Sequence, residues 1–412
     1  MLFGTNLKYT KAFNYRIVLE TIRLFGPLSR ADIARRSELT AQTISNITRR
    51  LIAGGLIKEG RRMQEGRGAP ATALALNPKG AYSIGLDLDQ DHLTALLLDL
   101  GGNVRQRVSR PLDFPAPDEA IELMVVTARE LMARQGLSFE KIWGVGVGLP
   151  GPLGISEGSV TVSVANPKAF PGWNDYPVIE RLKSRLNCPV YLENNATAAA
   201  IGERWYGCGQ HIATFFYIYL GLGLGGGVII NGHPFEGFRG NAGELGYTPI
   251  PGGETDAEGY FKHPHLGVYF HLPRLYGLLS SCGVEVSRVE GLEEVYKSQH
   301  PCLLEWLDTG ARHLAPILLA AEYLIEPQAI FLGGRWPVIL IQALKEKLDR
   351  LLPDLRVEGK MYVPALLQAD AGVDAAALGL ATIPLYESLA PEPRLLMMGG
   401  GDGAGNPSAS KA

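Results

Sequence analysis

The residues best placed for recognition chemistry lie between Thr40 and Ala53. Gln42, Ser45, Asn46 and Arg49 recur at i, i+3, i+4 and i+7, on one face of a helix, with Thr43 and Arg50 beside them. Ile44, Ile47 and Leu51 recur at i, i+3 and i+7 on another face. Such a helix can bury one side and present amides, hydroxyls and guanidinium groups on the other. Amides suit adenine edges, arginine suits guanine, and hydroxyls suit phosphate, so the polar side has the chemistry of a DNA major-groove reader. An ordinary amphipathic surface helix has the same periodicity, and only its surroundings separate the two readings.

Those surroundings are a helix-turn-helix with a basic wing. Ile17, Ile22, Leu24 and Phe25 give an apolar stripe to a first helix over Asn14–Phe25, ended by Gly26-Pro27. Ser29 starts a second helix, with Asp32 three residues on as its capping-box partner. A turn around Ser37–Leu39 leads to Thr40, the cap of the third helix, which Gly54-Gly55 stops. Leu56-Ile57 opens a strand. A glycine- and arginine-rich hairpin carrying Arg61, Arg62 and Arg67 follows, and the chain returns near Leu74–Leu76. The Arg67-Gly68 pair is narrow enough to follow a minor groove. Asn77-Pro78-Lys79-Gly80 reads as a linker, so a winged helix-turn-helix domain is expected over residues 1–78.

Charge follows the same division. Residues 1–80 hold 4 Lys and 10 Arg against 5 acids, a local charge of +9, while the remaining 332 residues carry −12. A basic head on an acidic body is the asymmetry of a nucleic-acid-binding module joined to something else.

From residue 79 to about 390 strands alternate with helices. Tyr82–Asp89 and Leu93–Leu100 read as hairpin strands leading into a third. Residues 117–135 read as a helix, Ile142–Gly148 and Val190–Glu193 as strands, and Ala196–Tyr206 as an alanine-rich helix that Asn194-Asn195 can cap. A second strand-rich block starts near Ala213, followed by a helix at about 303–325, a strand at Ala329–Leu332 and a closing helix near 373–388. Two hairpin-plus-helix blocks suggest a duplicated α/β architecture with a cleft between lobes. Residues 391–412, rich in Gly, Ser and Asn, are expected to be disordered. Ala213–Ile230 is uncharged over 18 residues, but its five glycines and its aromatic β-favouring run read as strand, turn, strand rather than a membrane span. There is no signal-peptide pattern. The four separated cysteines disfavour a disulfide framework and a structural zinc site, and suit a reducing cytoplasm. Asp87-Leu88-Asp89-Gln90-Asp91 resembles the start of a calcium loop, but His92 stands where glycine is needed and Leu98 where the closing glutamate belongs.

From Gly4 to about Leu389 the chain resembles the ROK family of repressors and sugar kinases. In the head the resemblance rests on Gly4-Thr5-Asn6, Asn14, Ser29-Arg30 and Gly66-Arg67-Gly68-Ala69-Pro70. In the body it rests, in order, on Gly148-Leu149-Pro150-Gly151-Pro152, Trp173, Pro189-Val190, Glu193-Asn194-Asn195-Ala196, Gly221–Gly227, Gly240–Gly246 and Leu332-Gly333-Gly334. It implies a two-lobe, actin-like and hexokinase-like fold behind the head. It also implies a polyhydroxyl ligand held by Asn194, Asn195, Glu244 and Tyr247: amides that donate and accept, a carboxylate, and an aromatic ring. Capping remains the other reading of Asn194-Asn195.

Departures from the pattern point away from catalysis. The kinases carry an Asp-x-Gly-Gly-Thr phosphate turn, but here Asp89 follows Asp87 and a second carboxylate repels phosphate. Asp87, Gly221, Gly223 and Gly225 are then a vestigial phosphate loop. Asn195 stands where the kinases place the aspartate that takes the sugar's proton, and an amide cannot accept that proton. The family's His and Cys zinc ligands are missing, since Tyr247 replaces the His and Gly253–Phe270 contains no Cys. His263, His265 and His271 lack a fourth ligand and read as loop histidines, so no cofactor is expected. The resemblance therefore implies a sugar-responsive, non-enzymatic repressor acting on double-stranded operator DNA as a homodimer or homotetramer. The rivals are an active sugar kinase with an appended head, and a constitutive DNA binder with a ligand-blind body.

Overall fold

The computed structural model describes residues 7–63, 71–113, 115–156, 159–161, 172–173, 176–252 and 263–389. The head consists of α1 (Leu7–Phe25), α2 (Arg30–Ser37), α3 (Ala41–Ala53) and the antiparallel pair β1 (Ile57–Met63) and β2 (Ala71–Leu76). Helix α1 starts seven residues before the expected Asn14, because no glycine or proline interrupts Leu7–Phe25. Ser29 accepts from the Asp32 amide and Asp32 accepts from the Ser29 amide, which completes the anticipated capping box of α2. Glu38 turns the chain in a left-handed conformation, and Thr40 accepts from the Thr43 amide to start α3. Val18, Leu19, Ile22, Ile33, Ile44, Leu51, Ile57 and Leu74 form one buried cluster, the three-helix-plus-wing core.

Asn77–Gly80, the segment read as the linker, is fastened by hydrogen bonds. Asn77 donates through Nδ2 to the Gly55 carbonyl (2.7 Å) and accepts from the Lys79 amide, and the Leu100 amide donates to Pro78 O (3.2 Å).

The first lobe contains β3 (Tyr82–Leu88), β4 (His92–Asp99), β5 (Val104–Pro111), α4 (Pro117–Gln135), β6 (Ile142–Leu149), the short pair β7 (Gly154–Ser156) and β8 (Ser159–Thr161), α5 (Val178–Leu186), β9 (Val190–Asn194) and α6 (Asn195–Tyr206). The second contains β10 (Phe215–Leu220), β11 (Leu224–Ile230), β12 (His233–Pro234), α7 (Leu266–Tyr269), α8 (Leu272–Ser281), α9 (Leu292–Lys297), α10 (Pro301–Ile325), β13 (Ala329–Gly334), α11 (Val338–Leu355), β14 (Ala365–Gln368) and α12 (Ala375–Leu389).

The duplication is explicit in the sheets. One runs β5-β4-β3-β6-β9 and the other β12-β11-β10-β13-β14; in each, three antiparallel strands continue into two parallel ones. Helices α4 and α5 cover the first sheet, and α8 to α11 pack in the core of the second lobe. Helices α6 and α12 cross between the lobes and pack mostly through alanines and glycines. Their approach is so close that a Cβ on Gly379 would meet the Ala198 carbonyl carbon at 2.6 Å and the Gly202 nitrogen at 2.9 Å. Cys282, at the end of α8, is joined to Cys302, in the first turn of α10, which corrects the expectation of no disulfide. The chain folds back through α9 and brings together two cysteines twenty residues apart. No helix among the described residues is long and apolar enough to cross a membrane. The tail, residues 391–412, lies outside the described residues.

Candidate functional site

The polar face of α3 is open. Gln42, Asn46, Arg49 and Arg50 are exposed, whereas Ile44, Thr48 and Leu51 are buried on the opposite side. Thr43 and Ser45 are half-buried, and the Thr43 hydroxyl is occupied by Thr40 at 2.9 Å, so Thr43 serves the helix cap as well as the face. Arg50 lies close enough to Tyr15 of α1 for its charge to oppose the burial that raises the Tyr15 phenol. Arg30 joins α2 to α3 and the wing, donating to Thr48 (3.2 Å) and Glu59 (3.1 Å). Arg61 and Arg62 are exposed on β1, while Arg67 lies outside the described residues.

A second group of functional candidates converges between the lobes. Asn194 fulfils both readings at once: its Oδ1 caps α6, accepting from Ala196 (2.7 Å) and Thr197 (3.4 Å), and its Nδ2 donates to Glu244 Oε1 (3.1 Å). Tyr247 is in the same tight turn as Glu244, with its amide 3.3 Å from the Glu244 carbonyl. Its phenol is raised by burial and by the Glu244 charge. A Cβ on Gly151 would collide with the Glu244 carboxylate and the Asn194 amide, so that glycine leaves room for the pair. Asn241, within the Gly240–Gly246 segment, clamps the two loops: it accepts from Leu153 N (2.7 Å) and donates to Leu153 O (2.8 Å). Burial pushes Glu244 up to about 7, and does the same to Glu193, whose carboxylate accepts from the Asn194 amide and faces the charge of Glu236.

Asn195 is buried beside this pair. Its Nδ2 donates to Leu88 O at the end of β3 (3.1 Å), and its buried Oδ1 has no partner within the protein. The amide thus ties α6 to the first sheet and keeps one acceptor free.

The other end of the cleft holds Asp87, Asp89, Asp91 and His92. His92 Nδ1 is 2.6 Å from Asp91 and Nε2 is 3.4 Å from Asp87. Burial opposes the charged ring, but bonding to Asp87 and Asp91 outweighs it and pushes His92 up to about 9. Burial raises Asp89 to about 6. Ligand atoms of Asp89, Asp91 and His92 lie within 4.8 Å of one another, a spacing a metal ion could use. The chemistry fits a cation poorly, because His92 already bridges two carboxylates and the Arg335 charge acts on the same groups.

Arg335 is the residue that the sequence reading missed. Its amide donates to Leu220 O (2.8 Å) in the second lobe and its guanidinium lies 3.4 Å from Thr94 Oγ1 in the first. The available signal was a base directly after Gly333-Gly334. Of the glycines assigned to a vestigial phosphate loop, Gly225 has a packing reason, since a Cβ there would lie 2.7 Å from that of Ala196. Gly221 donates to Gly223 O (3.0 Å) and accepts from Trp336 Nε1 (3.0 Å), whereas Gly223 faces open space.

The His92 bridge makes a pH prediction. Its folded value lies above the ordinary 6.5, so its stabilisation is complete below about pH 6.5 and is lost as pH rises through 9. The raised values of Asp89, Glu193 and Glu244 act only up to about pH 7. Between pH 7 and 9 the melting temperature is therefore expected to fall more steeply for the natural protein than for His92→Gln. Parallel slopes in thermal melts would remove His92 from this role.

The ROK family profile matches residues 83–284. A xylose repressor of Bacillus spizizenii (strain ATCC 23059 / NRRL B-14472 / W23) is 27% identical over 392 residues, covering 92% of this chain and 97% of the relative. Among solved structures, a ROK family transcriptional regulator described as a homologue of the E. coli MLC protein superposes with a TM-score of 0.73 at 24% identity. It covers 94% of this chain and 98% of its own, so the similarity takes in head and body together. A ROK hexokinase from Thermus thermophilus superposes with a TM-score of 0.58 at 26% identity, covering 74% of this chain and 98% of its own. The expected architecture, a winged helix-turn-helix head on a two-lobe actin-like body, is the one observed.

Proposed function

Because this chain carries a ROK family domain behind its basic head, we propose that it is a DNA-binding transcriptional repressor whose kinase-like body takes up a sugar or sugar derivative without phosphorylating it. The observation that carries the reading is the pairing, in one molecule, of an exposed Gln42–Asn46–Arg49–Arg50 face with a buried interlobe amide, Asn195, at the position that the resemblance matches to the kinases' catalytic aspartate. Asn195 donates to a backbone carbonyl. An aspartate there would set carboxylate against carbonyl oxygen, and the amide removes the base needed to deprotonate a hydroxyl. Where a phosphate turn would admit ATP, Asp89 and the Asp87–His92–Asp91 bridge carry carboxylates instead.

Two copies would set two α3 helices about one DNA turn, roughly 34 Å, apart on a near-palindromic operator. Sugar binding then acts through its different affinity for two arrangements of the heads, and release of DNA is the expected sign. Such a protein works in the cytoplasm. The test is fluorescence anisotropy of the purified protein on DNA upstream of its own and neighbouring genes, with and without sugars, alongside an ATP-consumption assay. Turnover of ATP on a carbohydrate at enzyme-like speed would establish the kinase rival, and indifference to every duplex would end the DNA reading.

Glu244 supplies a sharper check of the ligand site. Hydroxyl donors favour the ionised carboxylate, so sugar affinity should fall by up to about tenfold per pH unit below 7. In Glu244→Gln the affinity should be weaker and flat with pH. A natural protein whose affinity is constant from pH 5.5 to 8, within about twofold, would take Glu244 out of the site.

A further inference from the structure

We infer that α6 couples the cleft to the head, with Trp205 of α6 and Arg23 of α1 as the coupling pair. The inference rests on the proposed reading that the cleft binds an effector. Helix α6 begins at Asn195, capped by Asn194, and ends its last turn at Trp205 and Tyr206. Ten residues separate Asn195 from Trp205, about 15 Å at the helical rise. The helix is locked along its length: Ala196, Ala198, Ala199 and Ala200 are buried, and the backbones of α6 and α12 touch at Gly202 and Gly379. A body packed this closely shifts as a unit rather than deforming.

At the far end the head rests on this unit. The Arg23 guanidinium carbon lies 3.9 Å from the Trp205 ring centroid, and two 2.7 Å hydrogen bonds to Glu20 fix its plane. Leu385 of α12 is buried in the head's own core cluster. The Trp205 ring stands perpendicular to that of Tyr386 of α12, with centroids 5.9 Å apart, and the Tyr386 hydroxyl bonds His233 of β12. From His233 the chain runs directly into the loop that ends at Glu244, held by Phe235 N to Val228 O (2.8 Å) and Ala242 N to Glu236 O (3.1 Å).

The two halves of the candidate ligand site therefore meet again beneath the head. Asn194 reaches it through α6 and Trp205, and Glu244 reaches it through β12, His233 and Tyr386. Any ligand that alters the Asn194–Glu244 separation pulls on the first turn of α6, and because α6 is locked to α12 along its length the displacement is carried to the Arg23–Trp205 stack. Such a chain of packed side chains, biased from both ends, is the physical content of coupling.

The test uses the full chain and its Arg23→Met and Trp205→Leu variants, with Trp205→Phe as the conservative control. Operator affinity is read by anisotropy on a duplex that the natural protein selects from a random pool. Sugar binding is read separately by thermal shift, with D-xylose, D-glucose and N-acetylglucosamine as probes. The natural protein should show a sugar-dependent change in operator affinity of about tenfold or more. Arg23→Met and Trp205→Leu should keep both the sugar-free affinity and the thermal shift, yet lose most of that change, and Trp205→Phe should restore it. A merely structural role would lower stability without separating binding from response. Variants that respond fully overturn the coupling alone. A natural protein that no sugar stabilises, or whose operator affinity no sugar changes, overturns the coupling together with the sensing reading.

Discussion

Replacing Arg49 with alanine is expected to weaken operator binding by about 1–3 kcal/mol, roughly 5–150-fold, and to relax discrimination at one base pair. The side chain is exposed on α3, seven residues from Gln42, and among the described residues its hydrogen bond, to Asn46 at 3.5 Å, is at the limit of a useful contact. It is therefore free to reach a base edge, and its loss should leave the melting temperature unchanged. Arg61→Ala and Arg62→Ala form the contrast. Both residues are exposed on the wing strand, where phosphate contact is the natural role, so binding should weaken uniformly across sequences. Each should also reduce the salt-dependence slope by about 0.9. Anisotropy titrations on cognate and single-substituted duplexes at several salt concentrations separate the two behaviours. Unchanged cognate affinity in Arg49→Ala would exclude it as a base reader.

The second large effect is expected from Gly379→Ala. The added methyl would press on the Ala198 carbonyl and the Gly202 nitrogen, all backbone atoms of α6, so no side chain can move aside to receive it. Helices α6 and α12 would have to separate, and both lobes are built on that crossing. A cost of about 3 kcal/mol or more is expected, toward the upper end of overpacking effects. Gly223→Ala is the control: its Cβ meets open space, and stability should change by no more than about 0.5 kcal/mol. Urea titrations of the two variants decide the matter. Equal midpoints would mean that the crossing is looser than the structure shows.

Much of this was legible from local patterns. The capping box at Ser29 and Asp32, the Thr40 cap and the buried Ile44 and Leu51 all follow from spacings within four or seven residues, and the structure reproduces them. The doubled hairpin-plus-helix texture of the body became two sheets of identical strand order. Helices α5, α7, α8, α9 and α11 were not anticipated, although Val178, Leu182 and Leu186 mark α5 at intervals of four. The true start of α1 was also passed over, where no breaker residue marks a boundary.

Residue identities and short-range periodicity determined the helix-turn-helix head, its charge and the lobed body, because caps, amphipathic faces and local charge depend on neighbours in the chain. Only the tertiary structure decided that Asn194 both caps α6 and binds Glu244, 50 residues away, that Arg335 bridges the lobes to Thr94, 241 residues away, and that Cys282 meets Cys302. Those contacts join segments whose proximity is set by how two sheets close on the α6–α12 pair. No local spacing encodes that closure.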